Sequence, residues 1–301
     1  MTRTVAALVC AGALLIAVSA AQAQESGPVE SPRQLAQRVT FPSQDGKTTL
    51  VGYLFLPAAH AGRAPAVVMM HGRSGPYSSR ANGVYDATTL SRRHQAWGEL
   101  WASLGYIALL VDGFGPRGYP AGFGPHTYDS RPAELNEVTV RPLDAYGALA
   151  WLRARADVDA TRIGLHGWSN GGGAALATMA ATPAAGIAPP DGKGFAAALA
   201  FYPNCGLKGQ FDGGNYKPTA PVRVFMGLAD EEVSPQRCQA LVEGSRRQGG
   251  DITITLYPGA THGFDDPSRK RQKVMANAAA TEDAVGRAVA FFRERLGGKG
   301  E

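Results

Sequence analysis

The sequence contains little cysteine, and neither acidic nor basic residues strongly predominate in it. Only three cysteines occur in 301 residues, with no CxxC pair and no cysteine–histidine cluster at the spacing of metal ligands, so we expect no metal site. The 30 basic and 25 acidic residues are scattered, and the basic run Arg269-Lys270-Arg271 is not interleaved with aromatic residues. A nucleic-acid-binding groove is therefore not expected. Internal repeats, heptads and a second core are also absent, which favours one domain.

The longest apolar run lies at the N-terminus. Residues 5–18 follow the basic Arg3 and precede Ala21-Gln22-Ala23, which is the order of a secretory signal peptide cleaved after Ala23. The run is too short to span a membrane, although a retained anchor is the alternative. We predict a signal peptide over residues 1–23, a flexible leader over 24–36 and a single domain over 37–301. The protein would be periplasmic or secreted, with no membrane segment after cleavage.

Export makes the cysteine count informative. Cleavage removes Cys10 and leaves Cys205 and Cys238, an even pair in an oxidising compartment. A bridge between them would close a loop of about 34 residues and stabilise the fold by about 3–4 kcal/mol in the chain-entropy model. Two free buried thiols are the alternative.

Apolar runs alternate with helical patterns through the rest of the chain. The predicted buried strands are 66–70, 106–111, 163–166, 195–202, 222–227 and 252–257. The predicted helices are 92–104, 133–155, 235–248 and 274–296, and a break at Pro142 is the alternative to a continuous helix over 133–155. This alternation implies right-handed crossovers and an α/β fold with a mostly parallel central sheet and helices on both faces. Residues 37–42 and 48–56, joined by an Asp45-Gly46 turn, would add an antiparallel hairpin at one edge.

The stretch around Ser169 carries the most specific motif. Gly167-Trp168-Ser169-Asn170-Gly171 matches G-x-S-x-G between a predicted strand and an alanine-rich helix. Glycine is needed beside such a turn because a Cβ there would collide with the adjoining strand or helix. The turn would expose the Ser169 hydroxyl beside the first free N–H groups of the helix. The motif predicts a nucleophile, with an ordinary glycine-rich turn as the alternative.

Asp230 and His262 complete a candidate triad with Ser169. Each follows a predicted strand, and the carboxyl ends of parallel strands are where catalytic groups gather. The chain order Ser-Asp-His is typical of α/β-hydrolases. His262 would act as the base for Ser169, and Asp230 would orient the imidazole and stabilise its cation. Glu231 and Glu232 compete with Asp230 but lie farther from the strand end, and among six histidines His262 alone combines a post-strand position with flanking glycines.

The triad also needs an oxyanion hole made of two N–H groups. One should come from Asn170, the residue after the nucleophile. The other should come from the loop after the third strand, which places it at the N–H of Arg73.

Together these motifs resemble the dienelactone hydrolase family of the α/β-hydrolase superfamily, over nearly all of residues 48–292. The matching pieces are His71-Gly72-Arg73-Ser74-Gly75, Asp112-Gly113-Phe114-Gly115-Pro116-Arg117-Gly118, the Gly167–Gly171 turn, Asp230 and His262-Gly263-Phe264. The resemblance implies an α/β-hydrolase fold and hydrolysis of a carboxylic ester or lactone through an acyl-enzyme, with no metal and no cofactor.

Two positions depart from the family pattern. The namesake enzymes use a cysteine nucleophile where this chain has Ser169, and they carry a glutamate that governs the thiol where this chain has Gly72. The two changes are coherent, because a serine has no thiolate to control. The resemblance also implies that Arg117 could bind a substrate carboxylate, with an ordinary salt bridge as the alternative. Trp168 and Tyr77 could line an aromatic acyl pocket, with core packing as the alternative.

The predicted function is that of an exported serine hydrolase that cleaves a small-molecule carboxylic ester. A lactone hydrolase is one alternative, and a polyester hydrolase is another, because Gly-Trp-Ser-x-Gly-Gly-Gly is similar to exported polyester hydrolases. A catalytically silent exported binding protein is the alternative from another class. The complete set of triad candidates argues against it.

Overall fold

The computed structural model describes residues 1–2, 35–58 and 62–297. The predicted signal peptide, apart from its first two residues, and nearly all of the predicted leader lie outside the described residues. The fold described below is that of the compact unit Leu35–Glu301.

Eight strands form one sheet in the order β1-β2-β4-β3-β5-β6-β7-β8. The strands are β1 Gln37–Pro42, β2 Thr49–Phe55, β3 Ala64–Met70, β4 Ile107–Asp112, β5 Val158–Trp168, β6 Ala197–Phe201, β7 Val222–Gly227 and β8 Ile252–Tyr257. β2 runs antiparallel to β1 and β4, and every other pairing is parallel. β4 and β6 are buried along their whole length, as their continuous apolar runs predicted. The predicted α/β class and the hairpin at one edge are confirmed.

Helices cover both faces of this sheet. They are α1 Arg92–Ser103, α2 Arg141–Arg153, α3 Asn170–Met179, α4 Pro235–Arg247, α5 Arg269–Gln272 and α6 Met275–Leu296. Alternate residues of β5 show the two layers, since side chains alternate faces along a strand. Gly164 packs against Phe292 of α6 and His166 against Trp97 of α1, whereas Gly167 faces α3. Among the described residues, no helix is both long and apolar enough to cross a bilayer.

The helix predicted over 133–155 was wrong at its start. Residues Ala133–Leu135 form a short 3-10 turn, and α2 begins only at Arg141. Proline cannot donate the helical hydrogen bond and its ring clashes with the preceding turn, so Pro142 is tolerated in the first turn of α2 but not in its interior.

A disulfide joins Cys205 to Cys238, with the two Cα atoms 5.0 Å apart. Cys205 lies in the loop after β6 and Cys238 in the first turn of α4, so the predicted bridge is present. It ties together two segments at the carboxyl edge of the sheet.

Candidate active site

Ser169 lies between β5 and α3 in a strained backbone conformation, with φ of 53° and ψ of −114°. The strain follows from how closely the flanking segments approach. A Cβ on Gly167 would lie 2.0 Å from the carbonyl oxygen of Gly171, and a Cβ on Gly171 would lie 2.0 Å from that of Met70. Neither glycine can carry a side chain here, as the motif predicted.

Ser169, His262 and Asp230 form one hydrogen-bonded chain. The Ser169 Oγ lies 2.9 Å from His262 Nε2, and His262 Nδ1 lies 2.8 Å from Asp230 Oδ2. Asp230 accepts the Nδ1 proton, so Nε2 is left to accept the serine hydroxyl. The Asp230 side chain is fully buried, and its other oxygen accepts the N–H groups of Glu232 and Val233, each at 2.9 Å. These bonds fix both the carboxylate and the ring.

The two glutamates beside Asp230 have different partners. Glu231 accepts the backbone N–H of His262 at 2.9 Å. Glu232 pairs with the Arg73 guanidinium at 2.6 and 2.7 Å, and its Oε2 lies 3.8 Å from His262 Nε2. Burial alone would raise the pKa of Glu232, but the hydrogen bond and the positive charge of Arg73 hold this pKa below its ordinary value. A second carboxylate, one of the two that competed with Asp230 in the sequence, therefore lies near the base.

The loop after β3 passes directly over the nucleophile. A Cβ built on Gly72 would lie 3.4 Å from Ser169 Cβ and 4.0 Å from Ser169 Oγ. A side chain at position 72 would therefore meet the reacting hydroxyl, and glycine leaves that space open. Asn170 is the first residue of α3, so its N–H has no acceptor within the helix. The structure thus brings Gly72 close to Ser169, and Arg73 and Asn170 line the same pocket as Ser169.

The three predicted substrate-binding residues lie elsewhere. Arg117 binds Asp144 through two bonds of 2.8 Å, which is the salt-bridge alternative. Trp168 is fully buried, and Tyr77 is 6% exposed and donates to Asp112 at 2.9 Å. None of the three lines the pocket beside Ser169, because the apolar core and buried ion pairs hold their side chains.

A cavity of about 440 Å³ opens beside Ser169. Five connecting segments supply its lining, and every lining residue except Val233 is polar by type: Arg73, His126, Tyr128, Asp129, Arg131, Ser169, Asn170, Asn204, Glu232, Val233 and Ser234. The loop between β4 and α2 supplies four of these side chains. The glycine- and proline-rich pattern of that loop does not show which way it folds, so its place in the pocket could not be predicted.

Three buried charged residues form hydrogen bonds with segments that flank Ser169. Glu137, Arg141 and Asp265 are each less than 5% exposed and contact Asn170, the β3 loop or Trp168. No local motif marks them, because each acts on residues far away in the sequence.

The sheet order, the sharp turn at Ser169 and the loop positions are those of an α/β-hydrolase. The chain belongs to the dienelactone hydrolase family, whose model matches residues 50–296. The protein fragment YghX of Escherichia coli K12 is 36% identical over 92 residues, which cover 30% of this chain and 65% of YghX.

Solved structures share the fold. Esterase Est2 of Thermogutta terrifontis, solved with propionate bound, superposes with a TM-score of 0.61 at 20% identity, over 90% of this chain and 98% of Est2. P91, a dienelactone hydrolase-like promiscuous phosphotriesterase from metagenomic libraries, gives a TM-score of 0.62 at 19% identity, over 88% of this chain and all of P91.

Proposed function

We propose that this protein is an exported serine esterase that hydrolyses small carboxylic esters through an acyl-enzyme. The observation that carries the proposal is the Ser169–His262–Asp230 chain, with bonds of 2.9 and 2.8 Å. A serine hydroxyl is a weak nucleophile until an adjacent base accepts its proton, and this chain supplies that base in the required tautomer. Membership of a hydrolase family and the esterase Est2 on the same fold support the assignment.

Each step uses a group of this chain. Ser169 Oγ attacks the acyl carbon while His262 Nε2 takes the hydroxyl proton. The N–H groups of Asn170 and Arg73 hold the oxyanion, which collapses and expels the alcohol with the proton from Nε2–H. Water then attacks the acyl carbon while His262 Nε2 takes its proton. The bond to Ser169 Oγ breaks, Ser169 regains the proton from His262, and the carboxylic acid leaves. Asp230 stays ionised and stabilises the imidazolium throughout.

The polar pocket favours small hydrophilic esters. Val233 is the one aliphatic side chain in its lining, which also includes two arginines and two acidic residues. Apolar contact area is what binds a long acyl chain or a polyester, and Val233 is the one aliphatic side chain that this lining offers for it. We therefore rank a polyester hydrolase below an esterase or lactonase of small substrates.

The nucleophile is tested with Ser169→Ala. We expect the variant to stay folded and to lose hydrolysis of p-nitrophenyl acetate, because no other hydroxyl occupies the turn. Wild-type protein should be labelled at Ser169 by a fluorophosphonate. An unlabelled, inactive wild type would instead favour the silent binding protein, and near wild-type turnover by Ser169→Ala would refute the assignment of the nucleophile.

Substrate class is tested with a panel that runs from acetyl esters and small lactones to octanoyl esters and a polyester film. We expect kcat/KM to fall as the acyl chain lengthens. Higher activity on the film than on acetyl esters would reverse the ranking.

Export is proposed from the signal-peptide pattern and supported by the Cys205–Cys238 bridge, since disulfides persist in oxidising compartments. N-terminal sequencing of protein recovered outside the cytoplasm should begin at Gln24. Recovery of an intact Met1 terminus only from the cytoplasm would contradict export.

A further inference from the structure

The guanidinium of Arg141 lies buried behind Ser169, between the two segments assigned to the oxyanion hole. Arg141 is 0% exposed, and its Nη1 donates to the carbonyl oxygen of His71 at 2.7 Å and to Asn170 Oδ1 at 2.6 Å. One nitrogen atom thus links the loop after β3 to the first residue of α3. The two segments are about 100 residues apart in sequence and have no covalent connection near this point.

The Asn170 side chain is held from both sides. A guanidinium can only donate hydrogen bonds, so the amide oxygen of Asn170 must face Arg141. Its amide nitrogen then faces Glu137 Oε2 at 3.2 Å, and the other oxygen of Glu137 accepts the Tyr128 hydroxyl. This arrangement leaves the residue that starts α3 no freedom to rotate.

The loop after β3 is fixed at two successive carbonyls. Arg141 binds the His71 carbonyl, and the His71 ring donates from Nδ1 to the Gly72 carbonyl at 2.7 Å. Because a trans peptide unit is planar, the Arg73 N–H points opposite to the Gly72 carbonyl. Fixing the Gly72 carbonyl therefore fixes the direction of the Arg73 N–H.

Stability does not explain an arginine at this position. Arg141 is the first residue of α2, where the helix dipole disfavours a positive charge. Its Nε and Nη2 have no hydrogen-bond partner among the described residues. Burial without a full set of partners is costly, and it lowers the pKa of Arg141 to about 10, which still leaves the group charged at neutral pH.

We propose that Arg141 is a positioning residue that holds the two halves of the oxyanion hole in register through His71 and Asn170. The inference rests on the proposed esterase function and adds to it a residue that touches neither substrate nor nucleophile. Misplacing catalytic groups by about 1 Å can cost about 10²-fold in rate, and losing one oxyanion donor costs about 10²–10³-fold in kcat.

The test compares Arg141→Met with Arg153→Ala. Arg153 lies in the last turn of the same helix and also binds backbone carbonyls, those of Lys193 and Gly194, away from the site. Active sites are first titrated with a fluorophosphonate, so that kcat refers to active protein only. We expect Arg141→Met to lose about 10–100-fold in kcat per active site with KM changed less than threefold, and to bind a boronate transition-state analogue correspondingly more weakly. Arg153→Ala should match wild type in all three measurements.

A purely structural role predicts a different result. It would lower the fraction of titratable sites and leave kcat per site within twofold of wild type, and that outcome overturns the inference. If Arg141→Met does not fold, Asn170→Ala removes the other arm of the link without burying an unpaired charge. Wild-type kcat in Asn170→Ala would equally overturn the inference.

A further measurement does not depend on activity. Amide hydrogen exchange at Gly72 and Arg73 should be faster in Arg141→Met, or in Asn170→Ala, and unchanged in Arg153→Ala. Equal protection in all variants refutes the link even if the wild type proves to have no esterase activity. An active wild type with unaffected variants refutes the link alone and leaves the proposed function standing.

Discussion

Trp168 donates its indole Nε1–H to Asp265 Oδ2 at 2.9 Å, which ties the residue before Ser169 to the loop that carries His262. Asp265 also accepts the indole N–H of Trp97 at 2.9 Å and the hydroxyl of Tyr202 at 2.5 Å. Arg93 lies 3.1 Å away and balances its charge. A single buried carboxylate thus joins α1, β5, the loop after β6 and the loop after β8.

Replacing Asp265 should therefore destabilise the whole domain. Asparagine in Asp265→Asn keeps the shape of the side chain but replaces one accepting oxygen with a donating amide nitrogen. That nitrogen would face groups that are themselves donors, and the Arg93 charge would lose its buried carboxylate partner. We expect the free energy of unfolding to fall by about 3–5 kcal/mol, measured by urea denaturation. Asp266→Asn is the matched control, because that carboxylate is partly exposed and 3.3 Å from Arg93; it should cost less than about 1 kcal/mol. Equal midpoints for the two variants would refute this role for Asp265.

Gly171 should tolerate no side chain. Its Cβ would overlap the Met70 carbonyl at 2.0 Å, so Gly171→Ala has to push β3 and α3 apart. We expect about 3 kcal/mol of destabilisation and a large loss of activity, since the same movement shifts Ser169. Gly286→Ala is the control, because it lies in α6 with open space around it and should stabilise by about 1 kcal/mol. Urea unfolding of both variants decides, and a stable, active Gly171→Ala would show that the turn can relax.

Local pattern was enough to predict the strands of the parallel sheet and the residues that follow their carboxyl ends. Strand-ending loops carry Ser169, Asp230 and His262, and a parallel sheet brings such ends to one edge whatever lies between them. The same reasoning placed Gly72 and Arg73 beside the nucleophile.

Side-chain partners across the fold could not be predicted in this way. Arg117 binds Asp144 and Tyr77 binds Asp112, and both pairings depend on how loops fold over the sheet. Side-chain pairs between distant loops produce no periodic pattern in the sequence from which they could be recognised. The Arg141 and Asp265 networks could not be predicted for the same reason. The start of α2 is different, because the break expected at Pro142 is a local signal and α2 does begin beside it, at Arg141.

Three buried histidines should make the protein sensitive to mild acid. Burial holds the pKa of His71 and His166 well below the ordinary value and lowers that of His94 to about 4. The unfolded chain protonates histidine below about pH 6.5, so it binds more protons than the folded protein between pH 6.5 and 4. Stability is therefore full above about pH 6.5 and falls as the pH drops through that window.

His166→Leu should weaken this dependence. His166 packs among Trp97, Trp168 and Phe201, and each unit of pH below 6.5 costs about 1.4 kcal/mol per neutral buried histidine. We expect the loss in free energy of unfolding between pH 7 and 5 to shrink by about 2 kcal/mol in this variant. The exposed His126→Leu should keep the wild-type loss. An unchanged loss in His166→Leu would show that carboxylates, and not this histidine, govern the window.

The disulfide should stabilise both the fold and the pocket. Cys205 follows Asn204, and Cys238 lies four residues after Ser234, so the bridge fixes two pocket-lining segments as well as closing a loop with a sequence separation of 33. Reduction should lower the free energy of unfolding by about 3–4 kcal/mol, measured by urea denaturation with and without dithiothreitol. It should also raise KM, because Asn204 and Ser234 then move independently. The Cys205→Ala/Cys238→Ala variant should match the reduced protein and show no response to dithiothreitol; a response in that variant would mean that the reductant acts elsewhere.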